Sequence, residues 1–409
     1  MHNEVGIRDL IPNIFLCLPI ESLVRFKCVN KECNQIISNP GFVADHAIRD
    51  PSKPHGLFYF PHSNPGNVIY IPLYSQQKPN YFSAFPSIEA SCNGLFLHVP
   101  SQTPQFFTVF NPTTKKFQLI LRPKGYNNYP LSHNKHNLGL AYDPILFSWH
   151  DYKVVHIFVI DLDLIRGNQV YGFEIFSSSL NSWKMSKSRL RCLSGQTYQT
   201  EAVYLDGILH WIRECGDIVA FNVKTEDARI IPMPHTLRLK MIEYQNRKPW
   251  FGLAKGLVSV VYLSRSEFVV WVLHDYDNCK WGCVRIHIPS LSSRKDLYVI
   301  FFDGEWVVFR GRDRGSVISM YNVKSNKWKK IEASYDDDDD DDDENEDVYI
   351  PFIPTIVEMS TTLSTADHSI NYLISETNEI QNNIYRNTAP LESELQLLIV
   401  IIKRQTVVK

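Results

Sequence analysis

The chain has 409 residues, 44% of them hydrophobic and 12% aromatic, and a formal net charge of −2. That composition can bury a sizeable core, which excludes an intrinsically disordered protein. The eight cysteines are scattered along the chain, which excludes a small disulfide scaffold and leaves reduced thiols as the expectation.

Residues 1–9 lack the basic start of a secretory signal, and Pro12, Asn13 and Pro19 interrupt the first apolar region. Apolar runs such as Leu397–Ile402 are far below the roughly 20 residues of a membrane span. The expectation is a soluble protein, cytoplasmic and/or nuclear, with no membrane contact.

Residues 9–48 read as short helices. Leu10, Ile11, Ile14, Phe15 and Leu18 fall at helical spacing, and Pro19 stops the segment. Ile20, Leu23, Val24 and Phe26 mark a second helix. Asn30 is a good N-cap for a third, which runs through Ile36 and Ile37 to a stop at Asn39-Pro40. Three helices in about 40 residues bury too little surface to stand alone. Leu10, Ile14, Leu18, Pro19, Ile20, Leu23 and Val29 are more apolar groups than such a piece can hide, and surplus apolar surface marks an interface.

Beyond residue 48, apolar runs of strand length alternate with turn signals. A unit recurs, led by a turn glycine before a strand: Gly94, Gly207, Gly256 and Gly304, preceded in three cases by Asn93, Asp206 or Asp303. A second strand, a polar turn and a third strand follow. The spacing places Phe110 across from Phe117, Phe176 from Trp183, Phe221 from Ala228, His274 from Trp281 and Tyr321 from Trp328. These anchors recur at about the 40–50 residues of a propeller blade. Five units are visible, residues 56–71 offer an incomplete sixth, and a strand near Tyr349–Val357 is placed to close the ring. The expected fold class is mainly β with a small α domain: three N-terminal helices, then a kelch-like β-propeller. A large β-sandwich is the alternative.

Residues 336–347 hold 11 acidic groups in 12 positions. The rest of the chain has 42 basic against 33 acidic residues, a net of +9. The tract reads as a solvated, disordered insertion. The expected organisation is therefore 5–50 helical unit, 55–335 propeller, 336–347 acidic tract, and 348–409 a closing strand plus a poorly ordered tail.

Two resemblances sharpen this reading. Leu18-Pro19-Ile20-x-Ser22-Leu23-x-Arg25-Phe26-x-Cys28-Val29-x-Lys31, with Ile36-Ile37 and Pro40-x-Phe42, resembles the F-box of plant F-box proteins. Gly6-Ile7 stands where that family has Leu-Pro, and Cys33 where it usually has Trp. Ser91-Cys92-Asn93-Gly94-Leu95, Phe110-Asn111-Pro112-Thr113-Thr114, Tyr142-Asp143-Pro144, Asn181-Ser182-Trp183 and Gly207-Ile208-Leu209-His210-Trp211 resemble the F-box-associated domain of the same proteins.

The resemblance implies a non-catalytic subunit of an SCF-type, cullin-RING ubiquitin ligase. Its F-box would bind a small acidic Skp-type adaptor, and through it cullin, with Leu10, Ile14, Leu18, Pro19, Ile20, Leu23 and Val29 as the adaptor-binding residues. Its propeller would select a target protein for ubiquitination. Recognition is expected from the connections at one end of the ring, in 122–138, 189–200 and 236–252. The alternatives are a non-ligase scaffold with a decayed F-box and a propeller enzyme such as a kelch-type copper oxidase.

No phosphate loop, nucleophile elbow or metalloprotease motif is present. Cys279 and Cys283 flank Trp281 without a second pair at zinc spacing. His133 and His136 fall in a polar loop, and His210 reads as a buried, hydrogen-bonded core residue. Trp183, Trp281 and Trp328 read as core, and the lysines are too dispersed for a nucleic-acid stripe. No cofactor, metal or nucleic-acid partner is expected.

Overall fold

The computed structural model describes residues 7–49, 54–60, 67–74, 80–83, 88–99, 106–114, 116–123, 137–145, 151–163, 165–195, 201–243, 249–263, 268–288, 297–311, 318–331 and 348–356. The acidic tract, His133, His136 and residues beyond 356 lie outside them.

Four helices, not three, open the chain: α1 Ile7–Leu16, α2 Ile20–Lys27, α3 Lys31–Ile37 and α4 Pro40–Arg49. The Asn39-Pro40 pair, expected as a stop, does follow the end of α3 at Ile37 and also starts a fourth helix. Asn39 Oδ1 accepts from the Gly41 amide at 2.9 Å, and Pro40 takes the first helical position, where a missing N–H costs nothing. Asn30 caps α3 as expected, accepting from the Cys33 amide at 2.8 Å.

The remaining chain folds into six antiparallel sheets. Sheet one holds β1 Gly56–Phe60, β2 Asn67–Pro72 and β3 Asn80–Ser83; sheet two holds β4 Ile88–Cys92, β5 Leu95–His98, β6 Phe106–Asn111 and β7 Lys116–Leu121. Sheet three holds β8 Leu138–Tyr142, β9 Tyr152–Asp163, β10 Asn168–Ser177 and β11 Ser182–Met185, with β12 Leu190–Leu193 added beside β10. Sheet four holds β13 Val203–Leu205, β14 Ile208–Arg213, β15 Asp217–Asn222 and β16 Ala228–Pro232, and the short helix α5 His235–Glu243 follows. Sheet five holds β17 Trp250–Ala254, β18 Leu257–Leu263, β19 Phe268–Asp275 and β20 Lys280–Ile286; sheet six holds β21 Leu297–Phe302, β22 Trp306–Gly311, β23 Ile318–Asn322 and β24 Lys327–Ile331. The last strand, β25 Val348–Phe352, returns to sheet one and pairs with β1 from Gly56↔Phe352 to Phe60↔Val348. The ring is thus closed by one late strand on three early ones, and the sandwich alternative is excluded.

The first strands of successive sheets pack on one another: β4 on β8, β8 on β13, β13 on β17, β17 on β21. They line the middle of the ring. Of these first strands β4, β13, β17 and β21 precede a turn glycine, so the repeat seen in the sequence is the outer three-quarters of those blades. Apolar clusters fill the wedges between sheets. Leu57, Tyr59, Ile69, Val308 and Met320 join sheets one and six, and Phe58, Phe60, Phe96 and Phe110 join sheets one and two. Each sheet alone would leave both faces open; stacking in a circle covers them.

The hairpin registers hold at Phe110↔Phe117, Phe176↔Trp183, Phe221↔Ala228 and Tyr321↔Trp328. The fifth differs. A bulge leaves His274 out of the ladder, and Leu273 pairs with Trp281 instead. His274 lies over Gly282, where a Cβ would come within 2.4 Å of its ring. Asn93-Gly94 and Asp206-Gly207 take the paired left-handed conformation the turn needs, with φ of 44°, 86°, 47° and 82°. Lys255-Gly256 does the same, although lysine is no turn former, whereas Asp303 does not. Asp303 Oδ1 instead accepts from the Glu305 and Trp306 amides at 2.7 and 2.6 Å.

Each sheet is an antiparallel meander. Its first-to-second and third-to-fourth turns open on one rim; its second-to-third turn and the link to the next sheet open on the other. The helical unit sits at the first rim. After β25 the chain passes Gly94, Asn111 Nδ2 donates to the Thr355 carbonyl at 3.0 Å, and Ile356 enters the helical core.

Candidate docking surface on the helical unit

Two apolar stripes run along α1, one residue apart. Ile11 and Phe15 turn inward and pack with Ile20, Leu23, Ile37, Phe42 and Val43. Leu10 and Ile14, one turn apart on the neighbouring stripe, are 43% and 55% exposed. Phe26, near the end of α2, is 37% exposed and lies 5.3 Å from the Phe15 ring. Val29, in the link to α3, is 63% exposed.

The seven residues expected at the adaptor surface therefore separate. Leu10, Ile14, Pro19 and Val29 face solvent, and Leu18 is half-buried against the core. Ile20 and Leu23, at 6% and 0% exposure, are core residues that hold α2 onto α3 and α4. A fully buried side chain cannot enter a partner's groove without unfolding its own unit, so these two support the surface instead of forming it. Phe26 belongs with the exposed set; its aromatic ring at helical spacing was the available signal. Ile356 completes the core from more than 300 residues away, and no local pattern announces it.

His46 of α4 donates from Nε2 to the Leu18 carbonyl at 3.2 Å, tying α4 to the α1–α2 junction. Arg25 and Lys31 are exposed and lie close in sequence to Phe26 and Val29. Pro12 lies inside α1, where it removes one backbone donor, yet the helix continues through it.

Elsewhere the residues singled out in the sequence have structural surroundings. His210 is fully buried. Its Nδ1 donates to the Val203 carbonyl at 3.0 Å, and its Nε2 accepts from the Tyr276 hydroxyl at 2.8 Å. Burial holds its pKa down to about 4. Trp183 Nε1 donates to the Leu121 carbonyl at 2.6 Å and Trp281 Nε1 to the Pro232 carbonyl at 3.0 Å, so each ties its outer strand to the preceding sheet. Trp328 packs on Phe309 and Tyr321. Cys279 sits in a turn at φ 52°, not in a strand, and Cys283 is exposed. Among the described residues no group of three or more His, Cys, Asp and Glu is placed to hold a metal ion, and no helix is long and apolar enough to cross a membrane.

Segments 189–200 and 236–252, expected as loops, contain β12, α5 and the start of β17. With 122–138 they are sheet-to-sheet links, so all three leave from the rim opposite the helical unit.

The F-box domain family matches residues 8–44 and the F-box associated beta propeller domain family matches residues 47–354. A putative F-box/kelch-repeat protein of Arabidopsis thaliana is 28% identical over 339 residues, covering 79% of this chain and 71% of that protein. An F-box protein of the same plant is 30% identical over 308 residues, covering 70% and 92%. Four short helices seated on one rim of a closed six-bladed ring agree with an F-box followed by a β-propeller. The chain belongs to the F-box proteins that carry an F-box associated β-propeller domain.

Proposed function

We propose that this protein is the substrate-recognition subunit of an SCF-type ubiquitin ligase, working in the cytoplasm or nucleus. The observation that carries the reading is the exposed row Leu10, Ile14, Phe26 and Val29 on a helical unit whose own core is already filled. Such a row, if left in water, has no structural use; against an adaptor it supplies the buried centre of an interface. Pro19 and the outer side of Leu18 extend it. Arg25 and Lys31 complement an acidic partner and would speed encounter more than tighten the complex.

The protein catalyses nothing in this scheme. The adaptor and cullin hold it near a charged conjugating enzyme, and the ring holds a target there. The rate gain comes from effective concentration. The helical unit grips one rim, so the other rim is open to the target.

Co-purification from plant cells tests this. The wild-type protein should bring down a Skp-type adaptor and cullin, and Leu10→Glu with Ile14→Glu should bring down neither. Retention of the adaptor by that double variant would remove this surface as the docking site. An adaptor affinity weaker than about 10 μM for the wild type, some 7 kcal/mol of binding, would favour a scaffold that has left the ligase.

A further inference from the structure

The longest strands among the described residues are β9 and β10, and their shared tip extends past the rest of sheet three. Neighbour β8 covers β9 only from Tyr152 to His156, with one further bond from the Ile157 amide to the Asn137 carbonyl at 2.9 Å. On the far side, β12 covers the β10 tip at Asn168–Tyr171. No described strand meets the β8-side, axis-facing edge of β9 from Val159 to Asp163. Alternate residues of that edge direct an N–H and a C=O outward, which is a template for another strand.

The side chains along this edge are of two kinds. Asp161 and Asp163 project on one face of the strand, Asp163 also accepting from the Arg166 amide at 3.1 Å and lying 3.8 Å from its guanidinium Nε, and Leu162 projects on the other. Leu162 is 49% exposed, and Ile160, set off by a bulge, is 42% exposed over Gly172. The β9–β10 turn is a second-to-third turn, so the tip stands on the rim remote from the F-box, together with the sheet-to-sheet links.

We propose that Val159–Asp163 is a β-augmentation site for an extended segment of the target, with Lys or Arg alternating with apolar residues. Main-chain bonds along the edge supply affinity without regard to sequence. Asp161 selects a basic side chain on one face of the incoming strand, and Leu162 selects apolar ones on the other. A second copy of this chain is disfavoured as occupant, because pairing like edges would oppose these aspartates to one another. The inference rests on the substrate-receptor reading above.

A fluorescent peptide of alternating lysine and isoleucine, long enough to span the edge, tests it on the full-length protein co-expressed with a Skp-type adaptor. The wild type should bind the peptide. Methylating alternate amide nitrogens of the peptide, or the exposed-site substitution Asp161→Lys, should each weaken binding by about ten-fold. The glutamate-for-lysine peptide should prefer the Asp161→Lys variant. Absence of wild-type binding, or equal binding of the N-methylated or order-scrambled peptide, would overturn the site. Adaptor retention in the same samples separates the two ideas. Adaptor bound with no peptide effect removes the edge alone; peptide bound with no adaptor removes the receptor role alone.

Discussion

His210 shows how one buried side chain makes stability depend on pH. Its neutral ring is satisfied at both nitrogens, and burial, with help from the Arg229 guanidinium, opposes a positive charge. Its pKa of about 4 in the folded state lies below the ordinary histidine value of 6.5. The unfolded chain therefore takes up a proton first as pH falls. The stability tied to His210 is fully present above pH 6.5 and is lost as pH drops toward 4, by up to about 3 kcal/mol. Urea unfolding at pH 7 and pH 5 should show this loss, and the difference should shrink in His210→Gln; an unchanged difference would remove His210 as the source. The buried role of this residue was legible from Leu209-His210-Trp211, a strand with no polar escape. Exposure along α1 was not. Both of its stripes are apolar, and only the position of the other helices decides that Phe15 turns in and Ile14 turns out.

At the scale of elements, local chemistry was read best where a residue type has one conformational use. Asn93-Gly94 and Asp206-Gly207 announce their turns because asparagine, aspartate and glycine tolerate positive φ. Lys255-Gly256 takes the same shape with only half the signal. Asn39-Pro40 was ambiguous in principle, since proline serves equally after one helix and at the start of the next. The innermost strand of a blade carries little signal, because it is short and, in four of the six blades, ends just before the glycine that marks the repeat. Gly94 carries more than its turn. Its φ is 86°, and a Cβ there would come within 2.4 Å of the Ile353 carbonyl oxygen. Gly94→Ala should cost about 1–2 kcal/mol from backbone strain and should also push the 353–356 segment off sheet two. Thermal unfolding and hydrogen exchange in residues 353–356 measure both effects; faster exchange is expected there, and unchanged exchange would mean that the segment holds without Gly94.

For the whole molecule, one short segment links ring closure to the F-box. β25 completes sheet one, Thr355 is held by Asn111, and Ile356, 2% exposed, fills the helical core. The F-box thus borrows a core residue from the far end of the propeller, which answers how so small a helical unit is stabilised. Ile356→Ser should cost roughly 2–4 kcal/mol, and the loss should appear as faster amide exchange in α1–α4 with the strands of sheets three to five unchanged. Uniform acceleration across the ring would instead mean that the segment closes the propeller more than it anchors the helices. Five blades and their order follow from turn signals and hairpin spacing repeated along the chain, while the sixth shows there only as a fragment and a candidate closing strand. This long-range joint does not, because a single isoleucine beyond the last strand carries no pattern.

The adaptor surface is tested most directly by calorimetric titration of a Skp-type adaptor into three forms of the full-length protein. The wild type should bind in a saturable, stoichiometric manner. Leu10→Glu with Ile14→Glu should lose about a hundred-fold or more in affinity, with an unchanged unfolding temperature because both side chains face solvent. Leu23→Ala should lower the unfolding temperature, since that side chain is fully buried. Wild-type affinity in the double glutamate variant would contradict the docking surface outright.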